Sequence, residues 1–140
     1  MESIAAEGLR LASDKAPFRL LVADPSSDTR DRLERVLSGL GPQSVAHAGT
    51  AQEFERLFVD HGPYDLVVCR ALLGQRSGLQ VLAKARSGGS RASFIVYTSL
   101  DGAWLRVFVS DVENTVLSSR VVSLEGLAHL AGGLLEMNRA

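Results

Sequence analysis

Apolar residues along this chain fall into two alternating patterns: short continuous runs, and longer stretches with helical spacing. The runs at residues 18–23 (FRLLVA), 66–69 (LVVC) and 94–97 (FIVY) are nearly unbroken, as expected of strands buried on both faces of a sheet. Residues 44–48 and 115–118 read as a short second and a short fifth strand. After the first run, Asp24-Pro25-Ser26-Ser27 breaks the strand and supplies cap residues. A helix follows with Leu33, Val36, Leu37 and Leu40 at i, i+3, i+4 and i+7, and Gly39 and Gly41-Pro42 stop it. Thr50-Ala51-Gln52-Glu53 has the form of a capping box, with Phe54, Leu57 and Phe58 on one face beyond it. A third helix, through Leu79, Val81 and Leu82, follows a loop with Gly74 and Gly78 and ends at the flexible Ser87-Gly88-Gly89-Ser90. Residues 101–110 are expected to form a helix of poor propensity, because Val107 and Val109 are β-branched. Ser123 caps a last helix with Leu124, Leu127, Ala131, Leu134 and Leu135 facing inward, loosened near its end by Gly132-Gly133. Residues 1–17 show only weak periodicity (Ile4, Leu9, Leu11) and read as a partly helical or disordered leader to one domain at 18–137.

Five strands alternating with five helical patterns predict a parallel five-stranded sheet with right-handed crossovers and helices on both faces. With 140 residues and 46% hydrophobic content, the chain is long enough for one domain with a real core. A formal net charge of −1 argues against a nucleic-acid binder or a polybasic membrane-surface protein. No apolar run approaches the roughly 20 residues of a membrane span, and residues 1–18 lack the apolar centre of a signal peptide. The single cysteine, Cys69, excludes an internal disulfide and suits a reducing compartment, so the expected location is cytoplasmic. His47, His61 and His129 fall on three separate elements without ligand spacing, and no phosphate-binding or serine-nucleophile motif occurs.

In an open α/β sheet, chemistry sits just beyond the carboxyl ends of the strands. At the end of the third run that position is Arg70. From Phe18 to about Leu135 the chain resembles the receiver domain of bacterial two-component response regulators, a flavodoxin-like (βα)5 fold. The resemblance is carried by FRLLVAD with Arg30 and Leu33-Glu34-Arg35, then YDLVV, SGLQVL, FIVYTS and VSLEGL, in that order. It implies a phosphoacceptor position at Arg70 and an acidic pair at Asp24 and Pro25, of which one carboxylate is left. It puts the conserved hydroxyl at Thr98 and the lysine position at either Arg120 (by spacing) or Ser118 (by apolar pattern). The proline that usually follows the lysine is missing in both cases, leaving Val121 or Ser119. A guanidinium has no nucleophilic form and cannot become an acyl phosphate. Mg²⁺ wants carboxylate oxygens, so no cofactor is expected, and binding of this ion should be weak or absent.

The pattern therefore resembles a pseudo-receiver that works without phosphorylation, as a protein–protein interaction or adaptor module and not as an enzyme. Arg70 is expected either to be solvated or to pair with Asp24 across the vacated site. Thr98 reads as inherited structure, Asp65 as a turn residue and Cys69 as a small buried hydrophobe. In residues 103–109 (AWLRVFV) only Arg106 is polar, and a helix cannot bury all the rest. Trp104, Val107 and Phe108, with Leu117, are the expected surface for a protein partner or a second copy. The resemblance places that surface on the face of the fourth helix, fifth strand and fifth helix. An alternative reading is a small-anion or nucleotide sensor built on Arg70 with Thr98 and Arg120. Another is a receiver phosphorylated on a different side chain.

Overall fold

The computed structural model describes residues 17–98, 104–110 and 118–139. The expected leader, apart from Pro17, lies outside these residues, as do Thr115, Val116 and Leu117. Four strands are mutually parallel: β1 (Arg19–Ala23), β2 (Ser44–Ala48), β3 (Leu66–Arg70) and β6 (Ser93–Tyr97). Between them run α1 (Ser27–Leu37, extended by a 3₁₀ turn at Ser38–Leu40), α2 (Ala51–His61) and α3 (Gly78–Ser87). A small hairpin of β4 (Leu72–Leu73) and β5 (Arg76–Ser77) separates β3 from α3, and α4 (Leu124–Arg139) closes the described chain.

The α/β class holds, and so do three of the four expected parallel connections. The fourth does not. Residues 104–110 form strand β7 (Trp104–Ser110), antiparallel to β6, where a helix was expected. Strand β8 (Ser118–Ser123) then pairs antiparallel with β7, so the sheet has six strands in the order β2-β1-β3-β6-β7-β8. The physical reason lies in the segment itself. Leu105, Val107 and Val109 alternate with Trp104, Arg106 and Phe108, and the first set is buried while the second is exposed or half-buried. A two-residue period with β-branched residues suits a strand and satisfies the apolar side chains that one helical stripe could not.

Helices cover the sheet on both sides. On one face Leu20, Val22, Leu66, Val68, Ile95, Leu105 and Val107 meet Leu33 and Leu37 of α1 and Leu127, Ala131, Leu134 and Leu135 of α4. On the other, Leu21, Ala23, Val67, Cys69 and Phe94 meet Ala51 and Phe54 of α2 and Val81 and Leu82 of α3. The caps follow the chemistry of their residues. The Ser26 hydroxyl accepts from Thr29 N, Thr50 Oγ1 from Glu53 N, and Ser123 Oγ from Gly126 N. Glu53 accepts from Gly49 N at 2.6 Å, one residue before the position that a reciprocal box uses. The complete capping box is instead at Ser77 and Gln80, opening α3. Gly41, in the left-handed region at φ 74°, ends the 3₁₀ turn. Among the described residues no helix is long and apolar enough to cross a membrane.

Candidate functional site

The carboxyl ends of β1, β3 and β6 lie side by side, because these three strands are neighbours in the sheet. Register pairs Ala23 with Cys69 and Arg70 with Tyr97, so Asp24, Arg70 and Tyr97 form a row across the three strands. Alternation along each strand puts all three on the face packed by α1 and α4, since Val22, Val68 and Ile95 are in that layer.

Asp24 is buried at 2% exposure, and every one of its polar groups is engaged. Its backbone N–H donates to Ala48 O at 3.0 Å, and its carbonyl accepts from Arg30 Nη1 at 2.7 Å. One carboxylate oxygen accepts from Ser26 N at 2.8 Å, which also tightens the turn into α1. The other accepts from the hydroxyl of Tyr97, whose ring reaches across β3. Burial pushes the Tyr97 phenol well above its ordinary range. The bond to Asp24 and the charges of Asp24 and Cys69 add to this, and the Arg70 cation offsets a part of it.

Arg70 ends β3, as the sequence reading placed it, and its side chain is half-buried. It does not pair with Asp24: no ion pair or hydrogen bond joins them, and Arg70 Nε is buried without a partner among the described residues. The expected pairing is replaced by the neutral phenol, which offers Asp24 a hydrogen bond without the desolvation cost of a second buried charge. The backbone here is held closely. Ala71 N donates to Tyr97 O at 2.6 Å, and Gly78 N to Ala71 O at 2.7 Å. A Cβ at Gly78 would stand 2.6 Å from the Arg70 carbonyl oxygen, so only glycine lets α3 start this near the strand end.

The remaining expected residues are not drawn into this row. Pro25 is exposed and brings no ligand atom. Thr98 is exposed, with its N–H donating to Arg106 O at 3.2 Å. The sheet slot beside β6 belongs to β7, so neither Ser118 nor Arg120 lies on the strand next to it. Arg120 is level with Tyr97 through Val107 but three strand spacings from Arg70, about 14 Å across the backbone. Ser118 pairs with Val109, two residue pairs along the ladder from Arg120 toward the amino end of β6.

Of the expected partner surface, Val107 is fully buried in the α1–α4 layer and is not available. Trp104, at 67% exposure, and the half-buried Phe108 point to the opposite face, alongside Arg106 and Val121. Arg106 Nη1 donates to Ser119 Oγ at 3.0 Å on that face. Leu117 lies outside the described residues.

Sequence reasoning missed two contributors, Tyr97 and Arg30. A tyrosine at the end of an otherwise apolar buried strand is a usable signal, because a buried phenol nearly always finds a hydrogen-bond partner. Cys69 is the small buried hydrophobe expected; burial, with the Asp24 charge behind it, pushes its thiol up to about 12. Asp65 stands at the amino end of β3, where Oδ2 accepts from Arg19 N at 2.8 Å. Among the described residues no three His, Cys, Asp or Glu side chains gather as a metal site.

No protein-family model and no curated protein matches the sequence. Solved structures do. The signal receiver domain of an HD domain-containing protein from Pseudomonas fluorescens Pf-5 is 26% identical with a TM-score of 0.52, over 58% of this chain and 63% of that one. The N-terminal domain of an uncharacterized protein from Wolinella succinogenes is 28% identical with a TM-score of 0.51, over 58% of this chain and 64% of that one. The chain thus spans less than two thirds of either structure. The receiver domain of a Francisella response regulator is 15% identical, with a TM-score of 0.62 over 86% of this chain and 98% of that one. With the sheet order and the helices on both faces, these likenesses fix the fold as flavodoxin-like, of the receiver kind.

Proposed function

We propose that this chain is a phosphorylation-independent pseudo-receiver, a cytoplasmic signalling module of a two-component-type pathway that acts by protein–protein contact and not as an enzyme. One observation carries the reading: at the strand end where a receiver-type fold does its chemistry, Arg70 stands in the middle and the acid beside it in the row, Asp24, is buried and closed by Tyr97. An arginine offers no oxygen to a phosphoryl donor. A carboxylate already holding a phenol and a backbone N–H would have to break both bonds to bind a hard cation. The partner surface is the outer side of β7 and β8, where Trp104, Phe108 and Val121 flank Arg106. An exposed aromatic beside apolar neighbours and a cation is the composition from which interface hot spots are drawn.

The test is amide chemical-shift mapping during addition of beryllofluoride with Mg²⁺. The spectrum is expected to stay unchanged; shifts centred on Asp24 and Tyr97 would sink the proposal and favour a receiver with residual phosphorylation. A second reading, an anion sensor, is favoured by the unpartnered Arg70 Nε. The same spectra recorded with phosphate or sulfate separate it, since binding there moves the amides of Arg70 and Ala71 in the wild type and not in Arg70→Ala.

A further inference from the structure

The core under α2 and α3 ends at β6: Phe94 of that strand is packed in it, and no residue of β7 or β8 is. Among the described residues, no helix covers β7 and β8 on this face, whereas α4 packs on β6 and β8 on the other. Register sets what the bare face presents. Trp104, Arg106 and Phe108 of β7 stand opposite Ser123, Val121 and Ser119 of β8, and Val121 is 54% exposed beside the exposed Trp104. One side of α3 walls this face. Arg86 Nη2 donates to Ser110 Oγ at 3.1 Å, so that side of the helix faces β7, and the exposed Leu79, seven residues earlier, shares it. The result is a groove with Ser110 at one end and Trp104 at the other.

Its dimensions and charge define what fits. Two strands spaced by ~4.8 Å make a floor about 10 Å wide, the width of one α-helix with its side chains. The 7 residues of β7 run for about 23 Å, the length of a helix of ~15 residues. The floor is apolar at Trp104, Phe108 and Val121 and carries a cation at its centre. Arg106 donates to the Ser119 hydroxyl and pairs with no acid among the described residues. An acid set against it under the cover of the indole ring gains a charge-assisted bond that water does not compete for equally. A second copy does not meet these requirements. The apolar faces of its four helices are packed in its own core, and a twofold axis through the Arg106–Val121 pair would bring the two Arg106 guanidinium groups together.

We propose that the groove between α3 and the β7–β8 hairpin binds an amphipathic helix of a partner protein, with an acid in the middle of the helix's apolar face. The inference rests on the partner surface proposed above and adds the kind of partner. The test uses the full chain and a synthetic helix of ~15 residues on an alanine and glutamine background, with leucines at i, i+4 and i+11 around a glutamate at i+7. A twin peptide carries lysine in place of the glutamate. Binding is read from amide shifts and from the fluorescence of Trp104, the only tryptophan in the chain. The glutamate peptide is expected to shift Trp104, Arg106 and Val121, to move the indole emission to the blue, and to bind severalfold tighter than its twin. In Arg106→Glu, a surface change, the preference is expected to reverse. Equal affinities, a preference that survives Arg106→Glu, shifts centred elsewhere, or no saturable binding would each overturn the proposal. Shifts of Trp104 and Val121 on dilution of the chain alone would also overturn it, by making a second copy the occupant. Repeating the titration with beryllofluoride and Mg²⁺ separates the two readings. An unchanged affinity agrees with both, whereas a higher one sinks phosphorylation independence and leaves the helix assigned.

Discussion

Between Asp24 and Tyr97 stands Arg70, a cation whose nearest candidate counter-ion is taken by a neutral group. The arrangement makes Tyr97 the residue on which the site depends. Removing its hydroxyl in Tyr97→Phe leaves one oxygen of a buried carboxylate short of a donor, a loss of about 1–3 kcal/mol. Denaturant unfolding at pH 7 checks it, and a variant as stable as the wild type would mean that the bond contributes nothing. The same residue sets an alkaline limit. A phenol raised in the folded state contributes stability that is full below the unfolded value of about 10 and is lost as pH rises above it. Tyr64 is also raised, by burial with Arg19 in partial opposition, so the variant should show a shallower alkaline fall, not a flat one. At this scale the sequence was half legible. Arg70 could be located because a four-residue apolar run has a definite end. Whether it is solvated or paired with Asp24 is not legible, because charge does not reveal which neighbour reaches across a strand.

Strand β7 is the element where local pattern and overall expectation pulled apart. Alternating strands and helices predicted a helix after β6, and the resemblance reinforced it. The β-branched Val107 and Val109 spoke for the strand, as did the two-residue spacing of Leu105, Val107 and Val109, and these local signals decide. Two neighbouring substitutions distinguish the arrangements. Trp104→Ala is expected to change stability by no more than about 0.5 kcal/mol, because its side chain is mostly in water. Leu105→Ala should cost about 2–5 kcal/mol, because that side chain fills the layer under α4. Equal costs, measured by thermal or denaturant unfolding, would contradict an alternating strand. The helix caps were more legible than the strands, since Ser26, Thr50 and Ser123 act within a few residues of themselves. The box at Ser77 is not legible in the sequence, because it follows a two-strand hairpin that no periodicity announces.

Taken whole, the domain is three layers whose central one is parallel on one side and antiparallel on the other. Cys69 lies in β3, one of the two central strands, sealed by α3, and so reports on opening of the entire structure. At pH 8 a disulfide reagent should modify it no faster than the domain unfolds, because its thiol is both buried and raised to about 12. Stoichiometric labelling within seconds of mixing would show that the parallel half opens by itself. The layering was readable from sequence because buried parallel strands are continuous apolar runs. The closing hairpin was not, since its second strand, SSRVVS, carries too few apolar residues to be told from a loop. That second strand has a further consequence. Among the described residues β8 is the last strand on its side of the sheet, and such an edge is where strands of other chains can add. Its only charged member is Arg120, near the middle. Two copies aligned about that residue would press guanidinium against guanidinium, a repulsion that opposes like-with-like pairing and favours a strand that brings an acid of its own.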